Sequence, residues 1–278
     1  MATNRYEDIP CNDNQRIVLT GGKYIHANYI KDTNGKIFAV ATQGPLESTA
    51  YDFWSMTLQK QCPLIVMLCQ CIESSFDKKT RSNIPKEKCY GYWPTNVKTP
   101  LKFKDLIIHA DRIEEIIVFI GEKSEKIIKT EIRITDRKTN KILHQLDHFQ
   151  YVDWEDHAVP TSTRPLMHLF KHYILPAVKS SAGPIIVHCS AGIGRTGVFV
   201  GALYMLDFFL HFRLVSMPAA LTMLRRQRGK SVQSLGQYTF LHILLFELIE
   251  HATGKDLKDL KQKFAAILDK IRPNNVKT

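Results

Sequence analysis

The chain has no run of the roughly 18 apolar residues that a helix needs to cross a bilayer, so no membrane span is expected. Its opening stretch, Met1-Ala2-Thr3-Asn4-Arg5-Tyr6-Glu7-Asp8, is polar throughout and lacks the apolar core of a secretory leader. Internal repeats and low-complexity linkers are also missing, which leaves solenoids and flexible arrays without support. Acidic residues are the minority: 27 Asp and Glu against 38 Lys and Arg give a net charge of +11. That balance favours anionic partners. The basic residues are scattered rather than gathered in an arm, and no nucleic-acid motif accompanies them, so nucleic acid is not an expected partner. Weak contact with an anionic membrane surface is compatible with the charge. These features point to a cytoplasmic protein, expected to be a monomer.

Metal-ligand spacing is missing too. Cys69 and Cys71 stand one residue apart with no matching Cys or His pair, so a zinc site is not supported and no metal or cofactor is expected. A chain of 278 residues buries enough core to need no disulfide staples. Five of the six cysteines therefore read as reduced, structural thiols. Cys189 reads differently.

What is present is a mixed pattern of helices and strands. Residues 48–60 carry apolar positions at helical spacing behind a Ser/Thr cap, and Pro63 then introduces the apolar run 64–68, of buried-strand type. Residues 74–88 are polar and charged and read as a surface loop. Alternation across 101–152, as in Thr130-Glu131-Ile132-Arg133-Ile134, predicts antiparallel strands. Helical spacing covers 163–180, a second buried strand follows at 185–187, and helices fill 195–212, 217–228 and 234–251. Lys255 to Ile271 is a lysine-rich amphipathic helix pattern. Strict strand–helix alternation is not observed, so the expected class is mixed α/β, α+β-like, with a twisted mixed sheet flanked by helices. One domain is expected over 1–252, with a helix and tail over 253–278.

The segment His188-Cys189-Ser190-Ala191-Gly192-Ile193-Gly194-Arg195-Thr196-Gly197 follows the second buried strand and opens a helix. Small residues and glycines let the N–H groups of Ser190, Ala191, Gly192, Ile193 and Gly194 turn inward, and the helix start adds its positive end. Such a cradle binds an anion. Its N–H dipoles and a nearby Arg favour thiolate over thiol at Cys189. Arg195 supplies a planar two-pronged donor for phosphoryl oxygens, and the Thr196 hydroxyl is suited to easing the departure of sulfur. Nucleophile, cradle and clamp together suit phosphoryl transfer through a cysteinyl-phosphate. A Gly-rich turn around a buried Cys would explain two of these residues but not the whole set, and the glycines do not follow the first strand of a βαβ dinucleotide unit.

This segment resembles the signature of the cysteine-dependent protein tyrosine phosphatases. The likeness extends over about residues 4–250 through Asn4-Arg5-Tyr6-x-Asp8, Tyr24-Ile25-x-Ala27-Asn28-Tyr29-Ile30, Ala41-Thr42-Gln43-Gly44-Pro45, Asp52-Phe53-Trp54, Lys88-Cys89-x-x-Tyr92-Trp93-Pro94 and Gln233-x-x-x-Gln237-Tyr238. The layout is similar to that of single-domain, non-receptor members, including those encoded by viruses of parasitoid wasps. The resemblance implies a phosphatase fold and catalytic domain acting on phosphotyrosine-containing proteins. It implies that Tyr6 walls the pocket and stacks on the substrate ring, that Asp8 accepts hydrogen bonds from the substrate backbone, and that Glu73 pairs with Arg195. It further implies that Gln233 positions the hydrolytic water with help from Gln237, and that His188 tunes the thiol. Taken singly, Tyr6 is a surface aromatic, Glu73 a loop carboxylate, and Gln233 with Gln237 a polar helix start.

The family carries Trp-Pro-Asp where this chain has Trp154-Glu155-Asp156. Asp156 is the implied general acid for the departing tyrosine oxygen. Glu155 in place of proline frees one φ and leaves the loop less predetermined. It also sets a negative charge beside Asp156, which either favours the protonated acid or competes for its role. Smaller departures are His26 for a usual Asn, Ser234 for a usual Thr, and Lys230 at the pocket rim where some relatives carry Gly. A weakly active or inactive phosphotyrosine-binding module, and a phosphoinositide or RNA phosphatase using the same loop, stand as alternatives to a protein tyrosine phosphatase.

Overall fold

The computed structural model describes residues 3–77, 81–155, 158–180, 183–212 and 216–271. The apolar quartet Ile185–His188 forms strand β11, buried at every position. Burial on both faces requires neighbours on both sides, and β11 lies fourth in a nine-stranded sheet. Its neighbours are β3 (Ile37–Thr42) and β4 (Leu64–Met67), both parallel to it. Beyond β3 come β2 (Lys23–Lys31), antiparallel to β3, and β1 (Arg16–Leu19), antiparallel to β2. Beyond β4 lies β10 (Ile142–Tyr151), again parallel. The sheet continues through β9 (Lys123–Asp136), β8 (Leu106–Ile120) and β7 (Leu101–Phe103) by antiparallel pairing.

Four strands, β3, β11, β4 and β10, therefore run in one direction and deliver their C-terminal ends to one edge of the sheet. In sheets of this kind the crevice beyond those ends is where ligands sit.

The helices are α1 (Ala50–Gln59), α2 (Arg164–Leu169), α3 (Leu175–Ser180), α4 (Arg195–Phe212), α5 (Met217–Gln227), α6 (Leu235–Thr253) and α7 (Lys258–Ile271). The single helix expected over 163–180 is split by a π turn at Phe170–Ile174. Pro176 has no N–H to donate to the His172 carbonyl, and the turn before it widens so that Leu175 N–H reaches Phe170 O.

The surface loop expected over 74–88 is instead a hairpin, β5 (Ile72–Asp77) paired with β6 (Ser82–Glu87). Every β6 residue is exposed. No side chain of that strand enters the core, so it lacks the apolar alternation by which strands are recognised in a sequence. Helix α7 lays its apolar side on α6: Phe264 stacks on His242, Leu268 is buried, and Lys261 pairs with Glu250. Part of its apolar face is therefore occupied, while Leu260 and Ile267 remain exposed beside its lysines. Among the described residues no helix is long and apolar enough to cross a membrane.

Candidate active site

Between β11 and α4 the chain turns through Cys189–Gly194. Gly192 has φ +71, and a Cβ there would lie 2.0 Å from the Thr42 carbonyl oxygen at the end of β3, so only glycine fits. Its N–H points back at the Cys189 sulfur, 3.3 Å away. The outward carbonyls are held by a residue that the sequence pattern did not single out. Arg228, just after α5, is 1% exposed and donates to Gly192 O at 3.0 Å and Ala191 O at 3.1 Å. Its remaining donors reach Asn28 Oδ1 at 2.9 Å and His26 Nδ1 at 3.2 Å. With the carbonyls drawn outward, the loop N–H groups are left to face inward. The one signal available in the sequence was Arg228 beside Gly229, and it was lost among neighbouring basic residues.

Arg195 opens α4 and is almost completely buried. Its two terminal nitrogens meet the two oxygens of Glu73 on β5, at 2.7 and 2.9 Å, and Nη1 also donates to the Trp154 carbonyl at 2.7 Å. This two-pronged pairing fixes the plane of the guanidinium. Thr196 Oγ1 is buried without a hydrogen-bond partner among the described residues.

His188 sits beneath the loop, fully buried. Its Nδ1 faces Cys189 O at 3.1 Å, and its Nε2 lies 2.7 Å from the Tyr92 hydroxyl, which is 2.8 Å from His148 Nε2. A carbonyl can only accept, so Nδ1 carries the proton, Tyr92 donates to Nε2, and His148 donates to Tyr92. Burial pushes the His188 imidazole down to about 4 and lowers His148 well below its ordinary value, so both rings are neutral.

The rim comes from distant segments. Arg5 ties the N-terminal stretch down through Gly44 O (3.0 Å), Pro45 O (2.7 Å) and Glu87 (3.1 Å). That contact brings Tyr6 over the loop, its hydroxyl 2.8 Å from Ser190 Oγ. Lys86 of β6 places Nζ 5.7 Å from the Tyr6 ring centroid. Asp8 is exposed and bridged by Lys230, whose Nζ donates to its carbonyl and lies 3.6 Å from its carboxylate. Val232 and Lys230 both hold positive φ, at 61° and 58°, and the turn they make presents Gln233. A Cβ on Gly194 would lie 2.4 Å from Gln233 Oε1, and Gln237 accepts from Gln233 N–H at 2.9 Å. Ser234 caps α6 by accepting from Gln237 N–H at 3.2 Å.

These residues enclose a cavity of about 220 Å³ that Cys189, Ser190, Ala191, Arg195, Tyr6, Asp8, Gln233 and Gln237 line together with Ile9, Ser75, Lys86 and Lys88. Trp154 is buried, with its indole N–H on Ala158 O at 3.0 Å, and Glu155 is exposed. Asp156 lies outside the described residues. All six cysteines are free. The cavity combines a sulfur at its floor, a ring of backbone donors and a fixed guanidinium, an arrangement that accommodates a tetrahedral oxyanion.

Comparison with known proteins agrees with this geometry. The sequence profile of the family described as protein-tyrosine phosphatase matches residues 1–247. Tyrosine-protein phosphatase non-receptor type 20 of Rattus norvegicus is 33% identical over 252 residues, covering 89% of this chain and 54% of that protein. Non-receptor type 5 of Rattus norvegicus is 33% identical over 253 residues, covering 86% of this chain and 61% of that protein. The chain thus spans little more than half the length of these curated relatives. The catalytic domain of human protein tyrosine phosphatase non-receptor type 18 superposes with a TM-score of 0.72 at 27% identity, covering 88% of this chain and 84% of that one. A further structure of non-receptor type 18, in complex with HER2 phosphopeptides, superposes with a TM-score of 0.73 at 26% identity, covering 89% and 87%. The chain belongs to the protein-tyrosine phosphatase family.

Proposed function

We propose that this chain hydrolyses phosphotyrosine in proteins through a cysteinyl-phosphate on Cys189. The observation that carries the proposal is the Arg195 guanidinium, buried, held by Glu73 and the Trp154 carbonyl, and lining the same cavity as the Cys189 sulfur. Catalysis of phosphoryl transfer is mostly positioning and charge stabilisation, and this site supplies both before any substrate arrives.

In the first step the Cys189 thiolate attacks phosphorus, the bond from phosphorus to the tyrosine oxygen breaks, and that oxygen takes the proton of the Asp156 carboxyl. Arg195 and the loop N–H groups hold the three non-bridging oxygens. In the second step water, oriented by Gln233 and Gln237, gives a proton to the Asp156 carboxylate as its oxygen bonds to phosphorus. The P–S bond breaks with its electron pair going to sulfur, the Thr196 hydroxyl donates a hydrogen bond to the departing thiolate, and phosphate leaves. His188, neutral and locked to Cys189 O, holds the backbone of the nucleophile. Tyr6 stacks on the substrate ring and Asp8 receives the peptide backbone, favouring a peptide over a lipid or RNA substrate. The type 18 structures with HER2 phosphopeptides support a phosphotyrosyl protein as substrate.

A second reading, a phosphotyrosine-binding module with weak or no turnover, is favoured by one feature, Glu155 where the family carries proline. Steady-state kinetics on a phosphotyrosyl peptide, with chelator present, separate the two. Under the proposal the wild type turns over, Cys189→Ser does not, and Glu155→Pro is modestly faster. A wild type no faster than Asp156→Ala, yet binding the phosphopeptide, supports the binding module instead.

A further inference from the structure

Strands β8 and β9 extend past the rest of the sheet as a long hairpin, paired from Leu106↔Asp136 out to Ile120↔Lys123. Its outer end meets the segment between β10 and α2 on both sides. On the entry side Val152 N–H donates to Lys126 O at 3.3 Å, and Lys126 N–H donates to Asp153 Oδ2 at 2.6 Å. The Tyr151 hydroxyl donates to Glu125 Oε2. On the exit side the Thr161 hydroxyl donates to Glu125 Oε1 at 3.0 Å, and Arg164 Nη1 donates to Phe119 O at 3.1 Å. The two oxygens of one carboxylate thus take a donor from each end of the segment.

Two oxygens of a carboxylate are about 2.2 Å apart, so both donors must stay near one point for both bonds to persist. Tyr151 is buried while Thr161 is exposed, so the entry end is anchored in the core and the exit end is held by the carboxylate together with Arg164 and the buried Pro160 and Thr163. Burial, and then Glu125 itself, raise the Tyr151 phenol, which keeps its proton and remains a donor. Between the two ends lies Trp154, whose carbonyl accepts from Arg195. Displacement of either end therefore reaches the guanidinium. The same segment carries Glu155 in place of a residue that would have restricted φ, so its shape depends more on what holds its ends.

We propose that Glu125 is a positioning residue that holds Tyr151 and Thr161, on either side of the segment in sequence, and so sets the Trp154 carbonyl against Arg195; Asp156, the acid of the phosphatase reading, lies between those two residues in sequence. The proposal rests on the phosphatase reading above for its consequence in catalysis, though not for the clasp itself. Glutamine at this position keeps a single acceptor oxygen and serves one donor, whereas alanine serves neither. Tyr151→Phe and Thr161→Val each remove one arm and leave Glu125 in place.

The test compares wild type, Glu125→Ala, Glu125→Gln, Tyr151→Phe and Thr161→Val on a phosphotyrosyl peptide and on p-nitrophenyl phosphate, whose leaving group needs little protonation. Amide hydrogen exchange of residues 152–161 is measured alongside. Glu125→Ala is expected to lower kcat on the peptide about tenfold with KM changed less than about twofold, a fraction of what a general acid contributes. The loss on p-nitrophenyl phosphate is smaller, Glu125→Gln and the one-armed variants fall between, and exchange of 152–161 accelerates while that of α4 does not. Unchanged exchange in 152–161, or an equal loss of kcat on both substrates, overturns the proposal. Wild type as slow as Cys189→Ser would overturn the phosphatase reading instead, and the exchange measurement still decides the clasp.

Discussion

Replacing His26 with asparagine should flatten the acid limb of this protein's stability curve. His26 is 2% exposed and lies between two groups of opposite kind. Its Nε2 is 2.7 Å from Ile9 O, which only accepts, and its Nδ1 is 3.2 Å from Arg228 Nη2, which only donates. The ring is therefore neutral, with its proton on Nε2. Burial and then the Arg228 charge push the imidazole down from 6.5 to about 4. The unfolded chain takes up this proton near its ordinary value, while the folded chain refuses it until about 4. Within that window the unfolded state binds more protons, so stability is full above it and falls as pH falls through it. One such group costs about 1.4 kcal/mol per pH unit, or on the order of 3 kcal/mol across the window. His188, also lowered to about 4, adds a similar slope that the substitution leaves in place.

An asparagine amide presents an acceptor and a donor as a fork like that of the ring, but does not titrate. Urea unfolding of wild type and His26→Asn, followed by circular dichroism between about pH 4.5 and 6.5, should give slopes that differ by roughly 1 kcal/mol per pH unit. A constant offset from imperfect fit of the shorter side chain does not affect that difference. Parallel curves would refute the assignment of a neutral, acid-resistant His26 under Arg228.

Three further outcomes are expected. Glu73→Gln leaves Arg195 buried with its charge uncompensated, which should cost about 3 kcal/mol in urea unfolding and lower kcat/KM about 100-fold; a loss under about 1 kcal/mol would count against the pairing as drawn. Gly194→Ala sets a Cβ 2.4 Å from the present position of Gln233 Oε1 and displaces that side chain, so the second step should slow and stopped-flow traces should show a burst of product. An unchanged kcat without a burst would remove Gln233 from the water-positioning role. Lys230→Gly removes the bridge to Asp8 and a side chain at φ +58, and should reduce discrimination between acidic and neutral phosphopeptides. Unchanged selectivity would show that the bridge does not shape the rim.

Much of the site was readable because its parts are close in sequence. Cys189 to Thr196 form one turn and one helix start, so their spacing alone implies an anion cradle. The buried strand before them was equally plain, since Ile185-Ile186-Val187 has no polar residue to face solvent. Other parts were legible only through resemblance: Tyr6, Asp8 and Glu73 have no local feature that separates them from surface residues. The hairpin Ile72–Asp77 with Ser82–Glu87 is not legible as strands, because the exposed side chains of β6 carry no hydrophobic rhythm.

The sequence by itself therefore determined the chemistry of the loop, the buried centre of the sheet and the mixed class of the fold, all of which follow from neighbours along the chain. Only the tertiary structure decided what the loop is held by. Arg195 meets Glu73 across 122 positions and the Trp154 carbonyl across 41, and Tyr6 reaches Ser190 across 184. Those meetings depend on strand order and register, because β3, β11, β4 and β10 happen to end at one edge. Arg228 makes the point most simply. In the sequence it is one basic residue among several, and burial against two loop carbonyls, which no local pattern encodes, is what turns it into a support of the site.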